Sequence, residues 1–135
     1  MTETPTDASL DALFEGARSA RIRARGDREL DPSRGPVLLE VPARDLPALR
    51  ETLRIVPPTE AFHCMCLGDL AIELRGRMLA KGTVSFHHGV SVRLPSWSSD
   101  ALLADGPALL RFLAARGVPT PLAAFEADRA AAEEA

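Results

Sequence analysis

The sequence predicts an α+β fold: an antiparallel β-meander at about residues 61–94, packed on one face by short helices, with a mobile N-terminal arm. Two patterns predict it. Residues 61–94 alternate apolar and polar side chains in segments separated by glycine-containing turns, and apolar residues elsewhere recur at helical spacing. The 135 residues, of which 46% are hydrophobic and 26% charged, have the size and composition of one globular domain.

The meander is predicted from the period of two in residues 61–94. Three short turns separate its four segments, at Leu67–Asp69, Arg75–Arg77 and His87–Gly89. Each turn contains a glycine, which can adopt the positive φ that a three-residue hairpin loop requires. The residues expected to face inward are Phe62, Cys64, Cys66, Leu70, Ile72, Leu74, Met78, Ala80, Gly82, Val84, Phe86, Val90, Val92 and Leu94. We expect a sheet with one face toward solvent, because polar residues occupy these outward positions: Glu73, Lys81, Thr83, Ser85, Ser91 and Arg93.

Short helices are predicted to begin near Asp45, Asp100 and Asp105, because each aspartate precedes apolar residues at helical spacing. The first of them would follow a buried strand at residues 37–41. The alanine-rich residues 121–135 are predicted to form a terminal helix or tail. We therefore expect the core domain to span residues 35–120.

Residues 1–34 are predicted to form a partly helical, charged and flexible arm. After a short amphipathic stretch, five arginines occur within eleven residues of the arm: Arg18, Arg21, Arg23, Arg25 and Arg28. A segment of this composition buries little apolar surface. Acidic residues lie among the arginines, and no aromatic residue is available there to stack on a base. We interpret the arm as a solvated linker and do not expect it to bind nucleic acid.

The overall charge and hydropathy exclude some classes of partner. The formal net charge of −3 gives no general attraction for nucleic acid or anionic lipid, so binding of either would require a local patch. The apolar runs are too short to cross a bilayer, and residues 1–4 have neither the basic nor the apolar region of a signal peptide. We expect a cytoplasmic protein with no membrane partner.

One cluster of chemically active side chains is predicted at an end of the sheet. The first and third turns of a meander lie at the same end, which brings Cys66, Asp69, His87 and His88 into one neighbourhood, with His63 nearby on the outer face. One interpretation is a zinc site formed by Cys66, His87 and His88, since thiolate and imidazole are ligands that Zn²⁺ prefers.

A second interpretation of the cluster is nucleophilic catalysis, with Cys66 as the thiolate, His87 or His88 as the base and Asp69 as the group that orients the base. No known catalytic signature surrounds these residues. The simplest alternative assigns them no chemistry. The cysteine would then pack as a small hydrophobe, His87 would be solvated, and His88 would be hydrogen-bonded to Asp69.

The sequence favours a small cytoplasmic binding or regulatory module that is not an enzyme and acts through a protein partner. The alternative function is a small metal-dependent or thiol enzyme that uses the Cys66, Asp69, His87 and His88 cluster, with zinc as its one candidate cofactor. An edge strand of an open sheet also offers a route to a homodimer.

Overall fold

The computed structural model describes residues 3–24, 35–63 and 68–134 and confirms the α+β class. Within these ranges, six antiparallel strands form one open sheet and four helices accompany it. The strands are β1 (Ser19–Ala24), β2 (Val37–Pro42), β3 (Leu70–Arg75), β4 (Ala80–His87), β5 (Ser91–Arg93) and β6 (Ala101–Leu102). The helices are α1 (Asp7–Phe14), α2 (Leu46–Glu51), α3 (Ala108–Ala115) and α4 (Thr120–Glu134). The strand order is β2-β1-β3-β4-β5-β6.

Strands β3, β4 and β5 form the predicted meander. Ile72 lies opposite Val84, and Phe86 lies opposite Val92, so the inward residues of neighbouring strands meet as the alternation predicts. The additional first strand expected from Phe62 onward is not present at residues 61–63, and residues 64–67 lie outside the described ranges. The strand that pairs with the outer side of β3 is β1 instead.

The position of β1 corrects the predicted arm and the domain boundary at residue 35. Residues 19–24 form a central strand between β2 and β3, and Ala20 and Ile22 are fully buried. Their neighbours Arg21 and Arg23 lie on the other face, where Arg21 Nε is 2.8 Å from Glu40 and Arg23 Nε is 2.8 Å from Glu73. The charge of this segment obscures its period of two, which puts the arginines on one face of the strand and the apolar residues on the other. The later arm residues, 25–34, lie outside the described ranges.

The sheet has one apolar and one polar face because its side chains alternate along each strand. On the apolar face the strands and helices share one core, to which α1, α2 and α3 contribute leucines that include Leu10, Leu49 and Leu109. The predicted helices near Asp45 and Asp105 correspond to α2 and α3. The predicted helix at Asp100 is wrong, because Ala101–Leu102 pair with β5 as the edge strand β6.

Helix α4 is the predicted terminal helix, and it packs over the turn between β4 and β5. None of its described residues is buried, and only Leu122 and Phe125 pack against the core. The Phe125 ring lies where a side chain on Gly89 would begin. Gly89 also has a φ of +75°. The absence of a side chain at this position therefore permits both the turn and the docking of α4.

None of the described helices is long and apolar enough to cross a membrane.

We predict that Ile22→Ala lowers the free energy of unfolding by about 2–5 kcal/mol, because it leaves a cavity in a fully buried position of a central strand. The matched variant is Val37→Ala on β2, whose side chain is 41% exposed and should cost about 0.5 kcal/mol or less. Urea unfolding followed by circular dichroism measures both. Equal, small effects would show that residues 19–24 are not part of the core.

We predict that Gly89→Ala destabilises the protein more than Gly117→Ala. Both glycines have a positive φ, but a Cβ on Gly117 meets no atom within 4 Å, whereas one on Gly89 overlaps the Phe125 ring. Gly117→Ala should cost about 1 kcal/mol of backbone strain, and Gly89→Ala an additional 1–3 kcal/mol, roughly, of overpacking. In a Phe125→Ala background the two substitutions should cost the same. A larger cost at Gly117 would contradict the docking of α4 on Gly89.

Candidate functional site

A groove of about 850 Å³ lies at one end of the sheet, under α4. Its walls are apolar and come from β2, β3, β4, α3 and α4: Leu38, Leu70, Phe86, Leu110 and Phe125. These residues meet because β3 begins and β4 ends at this edge, while the contact between Gly89 and Phe125 holds α4 above it. We call this surface the α4 groove. Its volume is in the range of small-molecule and peptide pockets.

Charged residues of both signs lie along the α4 groove. Asp69 and His88 come from the ends of β3 and β4, and Asp128 and Arg129 come from α4. A groove with apolar walls and charged or polar lining residues can bury apolar side chains while its polar groups fix the orientation of the bound chain.

Asp69 and His88 form the turn at the sheet edge. The backbone N–H of His88 donates to Asp69 Oδ2 at 2.7 Å, and His88 Nδ1 lies 4.0 Å from the same oxygen. His88 has a φ of +54°, a left-handed conformation that is uncommon for a residue with a side chain. The carboxylate of Asp69 therefore stabilises a backbone geometry that points the His88 imidazole outward, where 62% of the side chain is exposed.

A second polar cluster lies on the other face of the sheet. Arg93 on β5 donates from Nε to Asp100 Oδ1 at 2.5 Å and from a terminal nitrogen to Oδ2 at 3.0 Å. Asp100 is fully buried. Its backbone N–H donates to the carbonyl of Phe62 at 2.8 Å, and His63 Nδ1 lies 3.9 Å from its carboxylate. The bidentate ion pair fixes Asp100 beside β5, and the Asp100 N–H ties the loop before residue 64 to the same edge.

His87 belongs to this polar face, although it is the sequence neighbour of His88. Its side chain is buried, and Nε2 lies 2.9 Å from the hydroxyl oxygen of Ser85. Burial lowers the pKa of His87 below its ordinary value of 6.5, and the Arg93 guanidinium lowers it further against the opposing charges of Asp100 and Asp69. A neutral imidazole beside a hydroxyl can exchange a proton with it, so the pair has the residue types of acid–base chemistry.

The predicted site residues are therefore divided between two surfaces. Asp69 and His88 meet at the α4 groove, where the shared end of the two turns places them. His87 is on the polar face against Ser85. Cys66, proposed as the zinc ligand or thiolate, lies outside the described residues. Within the ranges that are described, no group of three or more His, Cys, Asp and Glu side chains could hold a metal ion.

Several residues of these surfaces escaped the sequence analysis. Asp100 has the sequence pattern of a helix N-cap, because serines precede it and apolar residues follow it. Arg93 was assigned to the polar face, but nothing local identifies its partner seven residues later. Asp128 and Arg129 follow Phe125 by three and four residues, the spacing of one helix face. That spacing was the available signal for the charged side of the groove.

We predict that His87 makes stability depend on pH. Because its pKa is lowered on folding, the unfolded chain binds the proton more readily, and the free energy of unfolding should fall as the pH drops through about 6.5. His87→Gln keeps a hydrogen-bonding group beside Ser85 and should flatten this fall. His88→Gln, which removes a largely exposed side chain, is the matched control and should keep the wild-type slope. Urea unfolding at a series of pH values measures the slopes, and identical slopes for wild type and His87→Gln would contradict the assignment.

Comparison with known proteins found no relative of this chain. No protein-family model matches the chain, and no curated protein or solved structure matches it. The function proposed below is therefore inferred from the α4 groove and the residues around it.

Proposed function

We propose that this protein is a cytoplasmic binding or regulatory module, not an enzyme, and that its α4 groove takes an apolar segment of a protein partner. The observation that carries the proposal is the groove itself: about 850 Å³ with apolar walls at the end of the sheet. This volume exceeds that of any one apolar side chain. It suits a short segment that places several such side chains against Leu38, Val118 and Phe125, which are partly buried apolar residues of the lining.

The charges along the groove favour a peptide over a purely apolar molecule. Carboxylates at Asp69 and Asp128 accept hydrogen bonds, whereas His88 and Arg129 supply donors. A peptide backbone offers both donors and acceptors, so it can pair with both kinds of group while its side chains enter the apolar walls. A hydrocarbon ligand would leave those polar groups without compensation as it displaced water from them.

The weak docking of α4 also supports a peptide as the bound species. Leu122 and Phe125 are only partly buried, and the described residues of the helix include no buried one. A wall held by few apolar contacts opens at a low free-energy cost, which lets a groove adapt to a bound chain. Recognition of an amphipathic or extended segment in such a groove is a common mode of peptide binding.

The alternative function, a small metal-dependent or thiol enzyme, stays a prediction. Its zinc site and its nucleophile both require Cys66, which lies outside the described residues. The separation of His87 from His88 favours the binding module, because each histidine already belongs to a different surface.

We predict that Ala124→Trp, which fills the α4 groove, weakens peptide binding at least tenfold or so. Peptides selected from a displayed random library on the wild-type protein, then synthesised and labelled, are titrated by fluorescence anisotropy. Ala131→Trp is the matched control, because Ala131 is an exposed alanine of the same helix that does not line the groove. It should bind the same peptides with wild-type affinity. Unchanged circular dichroism spectra establish that both variants are folded.

Two outcomes would contradict the proposed function. Selection that yields no peptide with measurable affinity would show that the groove does not receive a protein segment. Peptides that bind wild type and Ala124→Trp equally well would place binding somewhere other than the groove. Amide chemical-shift changes at Leu70, Phe86 and Gly89 on peptide addition are the expected direct evidence for the groove.

A further inference from the structure

The hairpin between β3 and β4 ends in two exposed apolar side chains. Met78 is 88% and Leu79 is 80% exposed, the highest values among the large hydrophobic residues described. The Gly76 N–H donates to the Leu79 carbonyl at 2.9 Å, so the turn is closed and holds both side chains at its apex. The two apolar side chains at this apex make no contact with the core and so add no stability there. Exposed apolar side chains held together in this way indicate an interaction surface.

Four cationic residues belong to this end of the hairpin or lie beside it. Arg75, Arg77 and Lys81 belong to the hairpin, and Arg18 lies beside its base, where the Arg18 N–H donates to the Arg75 carbonyl at 2.7 Å. We call these four residues, with Met78 and Leu79, the basic tip. Among the described residues, no carboxylate forms an ion pair with any of its four cations, although Arg21 and Arg23 on the neighbouring strand are both paired. The basic tip is thus a local positive patch on a chain whose net charge is −3.

We propose that the basic tip docks on an anionic lipid surface. Met78 and Leu79 would enter the boundary between headgroups and acyl chains, and the four cations would stay at the level of the phosphates. This division matches the tip, since the apolar residues lie at the apex and the charges lie around it. Charge complementarity selects anionic over neutral lipid.

The shape of the basic tip favours a lipid surface over an acidic protein. A protruding pair of apolar side chains needs a matching pocket on a protein partner, whereas a fluid interface accepts it without one. The expectation of no membrane partner followed from the overall charge and hydropathy, which allow binding through a local patch of this kind. The contact is peripheral and involves no membrane-spanning helix.

The basic tip and the α4 groove lie at opposite ends of the sheet. β3 begins with Leu70 at the groove and ends with Arg75 at the tip. A protein bound to lipid through the tip would therefore present the groove away from the surface. The lipid proposal does not depend on the function proposed for the groove, and either can fail alone.

The test is co-sedimentation of the full chain with vesicles of phosphatidylcholine alone or of phosphatidylcholine mixed with phosphatidylserine. Wild type should bind only the anionic vesicles, and less as salt is raised. The double variant Met78→Ser/Leu79→Ser should lower the partition coefficient at least about tenfold. Arg77→Ala should lower it about fivefold, the effect expected of one basic residue at an anionic surface.

Two matched control variants distinguish binding through the basic tip from non-specific binding to vesicles. Leu102→Ser removes an apolar side chain on β6 that is 49% exposed, and Arg44→Ala removes an exposed cation outside the tip. Both should bind like wild type. Three outcomes would overturn the proposal: no binding to anionic vesicles, equal binding to neutral ones, or equal loss in the control variants. If the protein does not bind anionic vesicles, an acidic protein would remain as the partner whose charge complements the basic tip.

Discussion

The sheet depends on strand β1, which separates its apolar side chains from its charged side chains onto opposite faces. Ala20 and Ile22 belong in the core and Arg21 and Arg23 do not, and a strand satisfies both because its side chains alternate. The ion pairs to Glu40 and Glu73 are partly exposed, so each adds little stability. Their larger effect is on register. A slip of one residue would bury both arginines, and that cost fixes how β2 and β3 align on either side of β1.

The two ends of the sheet differ because their turns are covered differently. At one end Gly89 permits the close approach of Phe125, so α4 covers the turn and a concave apolar surface forms between them. At the other end no described helix covers the turn, and Met78 and Leu79 stay exposed. One antiparallel hairpin thus contributes to a groove at one end and to a protrusion at the other.

Sequence patterns predicted what depends on local periodicity and missed what depends on distant partners. The strands β3, β4 and β5 and the helices α2, α3 and α4 follow their apolar spacing. Asp69 and His88 lie close together because β3 begins and β4 ends at the same edge of the sheet. Strand β1 was missed because its arginines are neutralised by Glu40 and Glu73, which come from other strands. The buried position of Asp100 was missed because its partner Arg93 lies on the neighbouring strand β5, and the predicted helix at Asp100 excluded that pairing.

The contrast between the buried ion pair and the groove indicates which surface can adapt to a ligand. Desolvation offsets much of the attraction between Arg93 and Asp100, so the pair adds little net stability. Loss of either partner would nevertheless leave an uncompensated charge, and the bidentate geometry holds the loop at Phe62 and His63 against the sheet. These contacts on the polar face are costly to break. The groove lies under a helix held by two half-buried side chains, so it belongs to the part of the fold that opens most easily. Adaptation to a partner would cost least there, and for this reason the proposed binding site is the groove and not the Ser85–His87 pair.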